Sequence, residues 1–370
     1  MDIARLKSSF ARVVMHGDEV PLHFYSDLFL KHPQTRDMFP VSMQAQRTHL
    51  VAALVSIVSS VDDPDALTAF VRDLGRDHRK FGTLAEHYDA VGESLLATFA
   101  YFCGDAWDAG LEADWRAAYQ LIASVMIAAA REDEKHNPAY WTATVVGRER
   151  KAFDISVLTV QPEPRLEYLP GQSVAIESPA RPKLWRYYSM ANAPRADGTV
   201  DFHIRLIDGG AVSMALTTHA AEGTELRIGP PVGTLQLDCA SGREILMVAG
   251  STGLAPLKAM IEQLAGLPMP PAVQLFFGAR APDGLYDLPS LEKIAAEHRW
   301  LTVAPVVSAE RHGGPTGSLT DAVMRSGSWS GHDAYLAGPT EMVQDCAARL
   351  AASGLPAAQI HVEDFGWSEP

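Results

Sequence analysis

Apolar residues recur at helical spacing through roughly the first third of the chain. Val20, Phe24 and Leu28 form one stripe, and Leu67, Val71, Leu74 and Phe81 form another. A third runs from Tyr88 through Val91, Leu95 and Phe99, and a fourth through Leu121, Val125 and Ala129. Strand-like alternation is almost absent there, so the spacing predicts an all-helical domain over 1–134. The stretch DEKHNPAYW (133–141) breaks that pattern with charge, Asn137 and Pro138. Segments such as TATVV, DISVLTV and SVAIE follow and predict a β domain over 135–240. From Arg243, REILMVAG reads as a buried strand, GSTGLAP as a turn, LKAMIEQLAG as a helix and VQLFFGAR as a second strand. That order is the β-turn-α-β unit of a parallel sheet and predicts an α/β domain over 241–370.

Composition fits this multidomain reading and narrows the partners. A chain of 370 residues exceeds what one core usually supports. Its 47% apolar and 21% charged content is that of a folded globular protein. The formal charge of −14 repels nucleic acid and anionic lipid. No apolar run approaches the roughly 20 residues of a membrane span, and MDIARLKSSFARVV lacks the apolar region of a signal peptide. Cys103, Cys239 and Cys346 have no paired spacing, so neither a disulfide framework nor a zinc site is expected. The expectation is a cytoplasmic protein whose partners are small molecules, without nucleic acid or stable membrane insertion. Oligomeric state stays open.

Chemistry concentrates first in GRDHRKFGTLAEHYDAVGESLL (75–96). His78 falls on the inward stripe that ends at Phe81, where a lone histidine is more often a hydrogen-bonded core residue than a ligand. Two other polar groups sit at inward spacing: Tyr88 at the start of the next helix, and Glu132 at the end of the Leu121, Val125, Ala129 stripe. An axial imidazole needs a partner for its second ring nitrogen, and a His, Glu and Tyr cluster would supply one. The pattern KxFGxxxEHYxxVGExLLATF resembles the proximal region of flavohemoglobins and single-domain bacterial hemoglobins. The resemblance implies that His78 ligates heme iron with Tyr88 and Glu132 in support, and leaves His87 as a helix-start polar residue. PLHFYSDLF resembles the family's second helix and puts Tyr25 where a tyrosine bonds oxygen at the heme. Phe39 in DMFP is similar to the phenylalanine that packs on the heme, and Gln46 and Leu50 resemble the distal pair. The connection from Phe39 to Gln46 is shorter than the family's, which keeps Gln44 and His49 open as distal residues.

The other two domains carry nucleotide motifs. In WRYYSMANAP, Arg186 and Tyr188 lie two apart on a strand and share a face, with Ser189 next. A flavin needs a cation for its pyrophosphate, an aromatic cover and a hydroxyl near its reactive nitrogen. In IDGGAVSMAL, Gly209, Gly210 and Ser213 open a helix suited to a phosphate. Together the two motifs resemble the ferredoxin-reductase family's flavin barrel. VAGSTGLAP resembles that family's GGTGxxP nicotinamide-dinucleotide loop, matched by Gly250, Thr252, Gly253 and Pro256. AGPTEM resembles its CGP motif through Gly338 and Pro339, with Ala337 in place of the cysteine. IHVEDFGW resembles the terminal IHxExFG, with Phe365 stacked on the flavin and Glu363 near the route to heme.

The resemblance covers the whole chain as a flavohemoglobin: an all-α globin, an antiparallel β-barrel FAD domain and an α/β parallel-sheet NAD domain. It implies heme b, FAD and NADH or NADPH as cofactors. Arg280 could meet a 2′-phosphate, whereas GAR followed by an acidic stretch is more similar to NADH-using reductases. The implied activity is nitric oxide dioxygenase, in which electrons pass from the nicotinamide through FAD to heme, and dioxygen and nitric oxide give nitrate. Asp77 stands where many members have lysine, and Ser173 where many have tyrosine. With Ala337, these resemble a divergent actinobacterial branch in which a D-2-hydroxy acid such as D-lactate is oxidised. A heme-based oxygen or redox sensor is the third reading.

Overall fold

The computed structural model describes residues 1–308 and 317–363. The chain divides into two compact units, one built on Met1–Tyr140 with Pro182–Leu184, the other on Trp141–Arg181 and the residues from Trp185 on.

The first unit holds α1 (Ile3–Val14), α2 (Glu19–Lys31), α3 (Gln44–Ser59), α4 (Pro64–His78), α5 (Ala85–Cys103) and α6 (Ala109–Glu134). Side-chain oxygens start three of them: Asp2 accepts from the Arg5 amide, Asp63 from Ala66 and Asp108 from Leu111. The start of α5 is satisfied differently, with the Leu84 amide donating to His87 Nδ1 at 3.0 Å. Leu6, Phe10, Val13, Phe24, Leu28, Phe99 and Trp115 form the buried core. The α2 stripe of Val20, Phe24 and Leu28 is wholly inside. On α6 the expected stripe is rotated: Leu121 is exposed and the buried residues are Ala123, Met126 and Ala129. Two glycines permit the closest approaches. A Cβ on Gly75 of α4 would lie 2.4 Å from the Met126 carbonyl oxygen of α6, and one on Gly92 would lie 2.4 Å from the Tyr119 ring.

The second unit begins with a six-stranded antiparallel sheet. Its strands are β1 (Trp141–Arg150), β2 (Ile155–Glu163), β3 (Ser173–Glu177), β4 (Trp185–Ser189), β5 (Val200–Arg205) and, after the short α7 (Ala211–Met214), β6 (Glu225–Ile228). Their order is β4-β3-β6-β1-β2-β5, and a bridge between Met190 and Phe202 joins the two edges so that the sheet closes on itself. A parallel sheet follows, from β7 (Glu244–Gly250), α8 (Leu254–Ala265), β8 (Val273–Ala279), α9 (Leu288–Glu297), β9 (Leu301–Val307), α10 (Leu319–Arg325), β10 (His332–Ala337), α11 (Thr340–Ala352) and β11 (Ile360–Val362). The strand order is β11-β10-β7-β8-β9, with every pairing parallel. Alternation on β7 divides the core. Ile245, Met247 and Ala249 face the layer of α8 and α9, while Leu246 and Val248 face that of α10 and α11. Among the described residues no helix is long and apolar enough to cross a membrane.

The Gly75 contact is with backbone, which cannot rotate away. Gly75→Ala should therefore lower the stability of the helical unit by about 1–3 kcal/mol through overpacking. Chemical denaturation followed by helical circular dichroism checks this, and an unchanged midpoint refutes the tight approach.

Candidate functional site

His78 is the last residue of α4. Its Nδ1 lies 2.7 Å from the Leu74 carbonyl oxygen one turn back. A carbonyl can only accept, so Nδ1 carries the ring proton and Nε2 keeps its lone pair. Among the described residues no protein group bonds that Nε2. Burial pushes the imidazole below its usual pKa, opposed by the Asp77 carboxylate and the Leu74 carbonyl, and so keeps it neutral. A neutral imidazole with an open nitrogen is what an iron ligand requires, so His78 fits a heme.

The three groups expected to converge at this position do not. Glu132 is exposed on α6, where Lys135 holds it by an ion pair. The reason is the rotation of α6: the residues turned inward are Met126 and Ala129, and Glu132 lies on the other side of the helix. Tyr88 is half-buried, its hydroxyl pushed up to about 12 by burial, and its backbone oxygen accepts from the Tyr119 hydroxyl at 2.5 Å. Neither residue bonds to His78. Asp77 has its own partner in Lys80, an almost fully buried lysine that also sits 5.0 Å over the Phe81 ring.

On the other wall, Tyr25 is buried within an aromatic group. Its ring centroid is 4.9 Å from Phe24, 5.7 Å from Phe29 and 5.4 Å from Phe39. The Tyr25 hydroxyl donates to the backbone oxygen of Gln46 at a long 3.4 Å, and burial raises its pKa so that it stays protonated. Gln46 thus meets Tyr25 through its main chain. Leu50 is half-buried and packs with Leu54 and Val58 against the core, Gln44 is exposed, and His49 is half-buried. No α3 residue is fully buried, so protein covers the inner face of that helix only in part.

In the second unit, β4 carries Arg186, Tyr188 and Ser189. Arg186 donates to the Trp185 carbonyl at 2.9 Å, and Tyr188 is half-exposed with a hydroxyl raised well above its usual pKa by burial. The Ser189 hydroxyl donates to the Glu363 carboxylate. Burial pushes Glu363 up to about 7, with the Ser189 bond working the other way. Gly209 and Gly210 precede α7, Gly209 with φ of 73°. The Ser213 hydroxyl turns back, donating to Gly210 O and accepting from the Ile207 amide, which fixes the turn and leaves the Ala211 amide at the helix start. These groups fit a flavin nucleotide: a cation and an aromatic on one strand face, a hydroxyl beside them and a backbone turn. Ser173 is buried on β3 opposite Ser189. Phe365 lies outside the described residues.

The loop from Gly250 to Pro256 leaves the carboxyl end of β7, between β10 and β8. The strand order reverses there, which is where open α/β sheets bind nucleotides. Gly253 precedes α8, and a Cβ on it would stand 2.3 Å from the Ala337 carbonyl oxygen. Gly338, with φ of 143°, would meet Gly250 at 2.9 Å, and a Cβ on Gly250 would meet the Pro339 ring at 2.9 Å. The AGP segment and the dinucleotide loop therefore touch backbone to backbone, leaving the α8 amides, with Thr252 alongside, for a phosphate. Ala337 is fully buried and faces the apolar layer under α8. Ser251 adopts φ of 53° at the position of the motif's second glycine, and its hydroxyl lies 3.3 Å from Arg205, which Asp154 pairs at 2.9 Å. Arg205 was not singled out from the sequence, where a basic residue closing a strand carries no spacing signal.

A carboxyl with a pKa near 7 beside the flavin motif has a kinetic signature. The pH profile of flavin reduction by the nicotinamide cofactor should show an ionisation near 7, with Glu363 neutral below it and anionic above. Glu363→Gln should abolish it. Ser189→Ala should move it upward, because the hydrogen bond that favours the anion is gone. A profile unaltered in Glu363→Gln assigns the ionisation elsewhere.

Comparison with known proteins covers each part of this geometry. The globin family model matches 22–126, the oxidoreductase FAD-binding domain 142–237 and the oxidoreductase NAD-binding domain 247–348. The flavohemoprotein of Bordetella pertussis is 27% identical over 98% of this chain and 97% of its own. The ferredoxin–NAD(P)(+) reductase component of the Pseudomonas putida naphthalene 1,2-dioxygenase system is 32% identical over 65% of this chain and 74% of its own. The flavohemoglobin of Malassezia yamatoensis, solved with FAD and heme, shares the fold over 98% of both chains with a TM-score of 0.79 at 20% identity. A helical unit with an open histidine, a closed antiparallel sheet with a flavin motif and a parallel sheet with a dinucleotide loop follow one another in that same order here, and the chain belongs to the flavohemoglobin family of heme-, FAD- and NAD-binding oxidoreductases.

Proposed function

We propose that the chain is an NAD(P)H-driven nitric oxide dioxygenase. The observation that carries this reading is the open Nε2 of His78 in a chain that also holds a buried, protonated Tyr25 hydroxyl and both halves of a flavin reductase. When bound, heme supplies a redox-active iron for dioxygen and nitric oxide, and FAD divides the electron pair of a hydride into single electrons. The protein's own groups do the rest. Tyr25 offers a hydrogen bond at neutral pH, and Phe24, Phe29 and Phe39 keep its surroundings apolar and dry. Gly253 and Gly338 let backbone amides approach the dinucleotide phosphates, while Ser189 and Glu363 can hold a proton at the flavin motif.

Stopped-flow mixing of nitric oxide with reduced, oxygen-equilibrated protein and excess NADH or NADPH tests the proposal. Nitrate should form over many turnovers, and Tyr25→Phe should slow it by roughly tenfold, the worth of one hydrogen bond of about 1–1.5 kcal/mol. Stoichiometric nitrate from a protein whose flavin neither nicotinamide reduces would sink it. Flavin reduction by D-lactate instead would mark a D-2-hydroxy acid dehydrogenase.

A further inference from the structure

We propose that His203 and Tyr286 are positioning residues for hydride transfer, a buried hydrogen-bonded pair through which the flavin-binding sheet fixes the β8–α9 connection beside the dinucleotide loop. The proposal rests on flavin reduction by the nicotinamide cofactor and is independent of what the heme does with the electrons.

The first observation is where the pair lies. Along β5, Phe202 and Ile204 turn to one face and are fully buried, while Asp201, His203 and Arg205 turn to the other. The parallel-sheet domain meets this strand and its approach at three points. Glu262 of α8 accepts from the Ala193 amide at 3.1 Å, Tyr286 meets His203, and Ser251 of the dinucleotide loop meets Arg205. The residue after Tyr286 is fixed as well: Asp287 is buried and pairs with Lys258 of α8 at 2.6 Å. The β8–α9 connection is thus tied on one side to the flavin-binding sheet and on the other to the helix that the dinucleotide loop opens. It leaves the carboxyl end of β8, next to β7, where open α/β sheets bind nucleotides.

The second observation is what the pair is made of. His203 Nδ1 lies 2.7 Å from the Tyr286 hydroxyl oxygen, and the two rings meet edge to face at 5.3 Å and 87°. Burial pushes the imidazole far below its usual pKa, and the Lys258 and Lys151 charges push it the same way, so the ring is neutral. Burial likewise keeps the Tyr286 hydroxyl protonated. The other ring nitrogen, His203 Nε2, is buried without a hydrogen-bond partner among the described residues. Such an atom costs stability. Adhesion does not require it, because Ile155 of β2 and Leu235 already share one apolar core with Leu257 and Met260 of α8. Two apolar side chains would fill the same place without that cost. What they would not supply is direction: a hydrogen bond between crossed rings fixes where the connection stands against β5. Hydride transfer depends steeply on that kind of placement.

Stopped-flow reduction of the full-length, FAD- and heme-loaded protein by NADH or NADPH, with ADP-ribose binding and thermal melting measured alongside, tests the proposal. His203→Leu removes the unpaired nitrogen together with the hydrogen bond. It should melt no lower than the wild type and bind ADP-ribose, which lacks the nicotinamide, with unchanged affinity. Its limiting rate of flavin reduction should nevertheless fall about tenfold, and the long-wavelength absorbance of nicotinamide stacked on flavin should fade. Tyr286→Phe should lose the same rate, and the double variant no more than either alone, because the two side chains act as one unit. A folded His203→Leu variant with the wild-type limiting rate overturns the proposal, as do losses that multiply in the double variant. Variants in which melting temperature and ADP-ribose affinity fall in step with the rate show a structural role alone and overturn it too. If His203→Leu does not fold, Tyr286→Phe decides by its rate, absorbance and ADP-ribose affinity. A wild-type flavin that neither nicotinamide reduces refutes the reductase reading itself and is distinguishable from all of these outcomes.

Discussion

The contact of the Gly75 α-carbon region with the Met126 backbone is the constraint on which the helical unit's chemistry depends. With no side chain at Gly75, α4 lies directly on α6, and the next turn of each helix is then fixed in register. Arg79 closes that register by pairing with Asp133 and donating to the Asn137 carbonyl at 2.9 Å. Both partners of the ion pair are nearly buried, so removing one leaves an uncompensated charge, a loss on the order of 3–5 kcal/mol. His78 lies between these two anchors. Its position is thus set by a glycine and an arginine that pack on α6, and its tautomer by a carbonyl that any residue at position 74 would provide.

Close backbone approach does the same work in the second unit. Gly253 against Ala337, and Gly338 against Gly250, bring the ends of β7 and β10 together where the strand order reverses. The amides there are held by the sheet and not by flexible side chains, an arrangement that would bind a phosphate with little ordering cost. Ser251 shows the cost of departing from glycine. It takes a left-handed conformation, a strain on the order of 1–3 kcal/mol, and Arg205 bonds its hydroxyl. Asp77 departs from the family's lysine in a different way. The positive charge is present nearby as Lys80, but it is buried and paired to Asp77 rather than free at the surface.

Much of this was legible in the sequence, for a physical reason: periodicity and turn chemistry are local. The helical first third, the change of pattern near Pro138, the parallel β-turn-α-β unit and the glycine loop all follow from spacings of two to four residues. The burial of His78 and Tyr25 was legible as well, because His78 falls on a stripe that includes Val71, and Tyr25 follows Phe24 on a helix whose apolar face is continuous. The motifs RxYS and GSTGLAP pointed to the FAD- and NAD-binding domains because each names its own backbone geometry.

What the sequence could not determine is the rotation of one element against another. Leu121, Val125, Ala129 and Glu132 satisfy helical spacing as well as Ala123, Met126 and Ala129 do, and a long helix with apolar residues on several sides does not declare which side is covered. The packing at Gly75 decided it, turning Glu132 to solvent and Met126 and Ala129 inward. The backbone partners of His78 and Tyr25 were invisible for a related reason, since a carbonyl has no letter in the sequence. The sequence by itself determined the elements, their order and the residue types at each motif. Only the tertiary structure decided which side chains meet, because that depends on helix rotation and backbone approach, which are set by contacts between residues far apart in the chain.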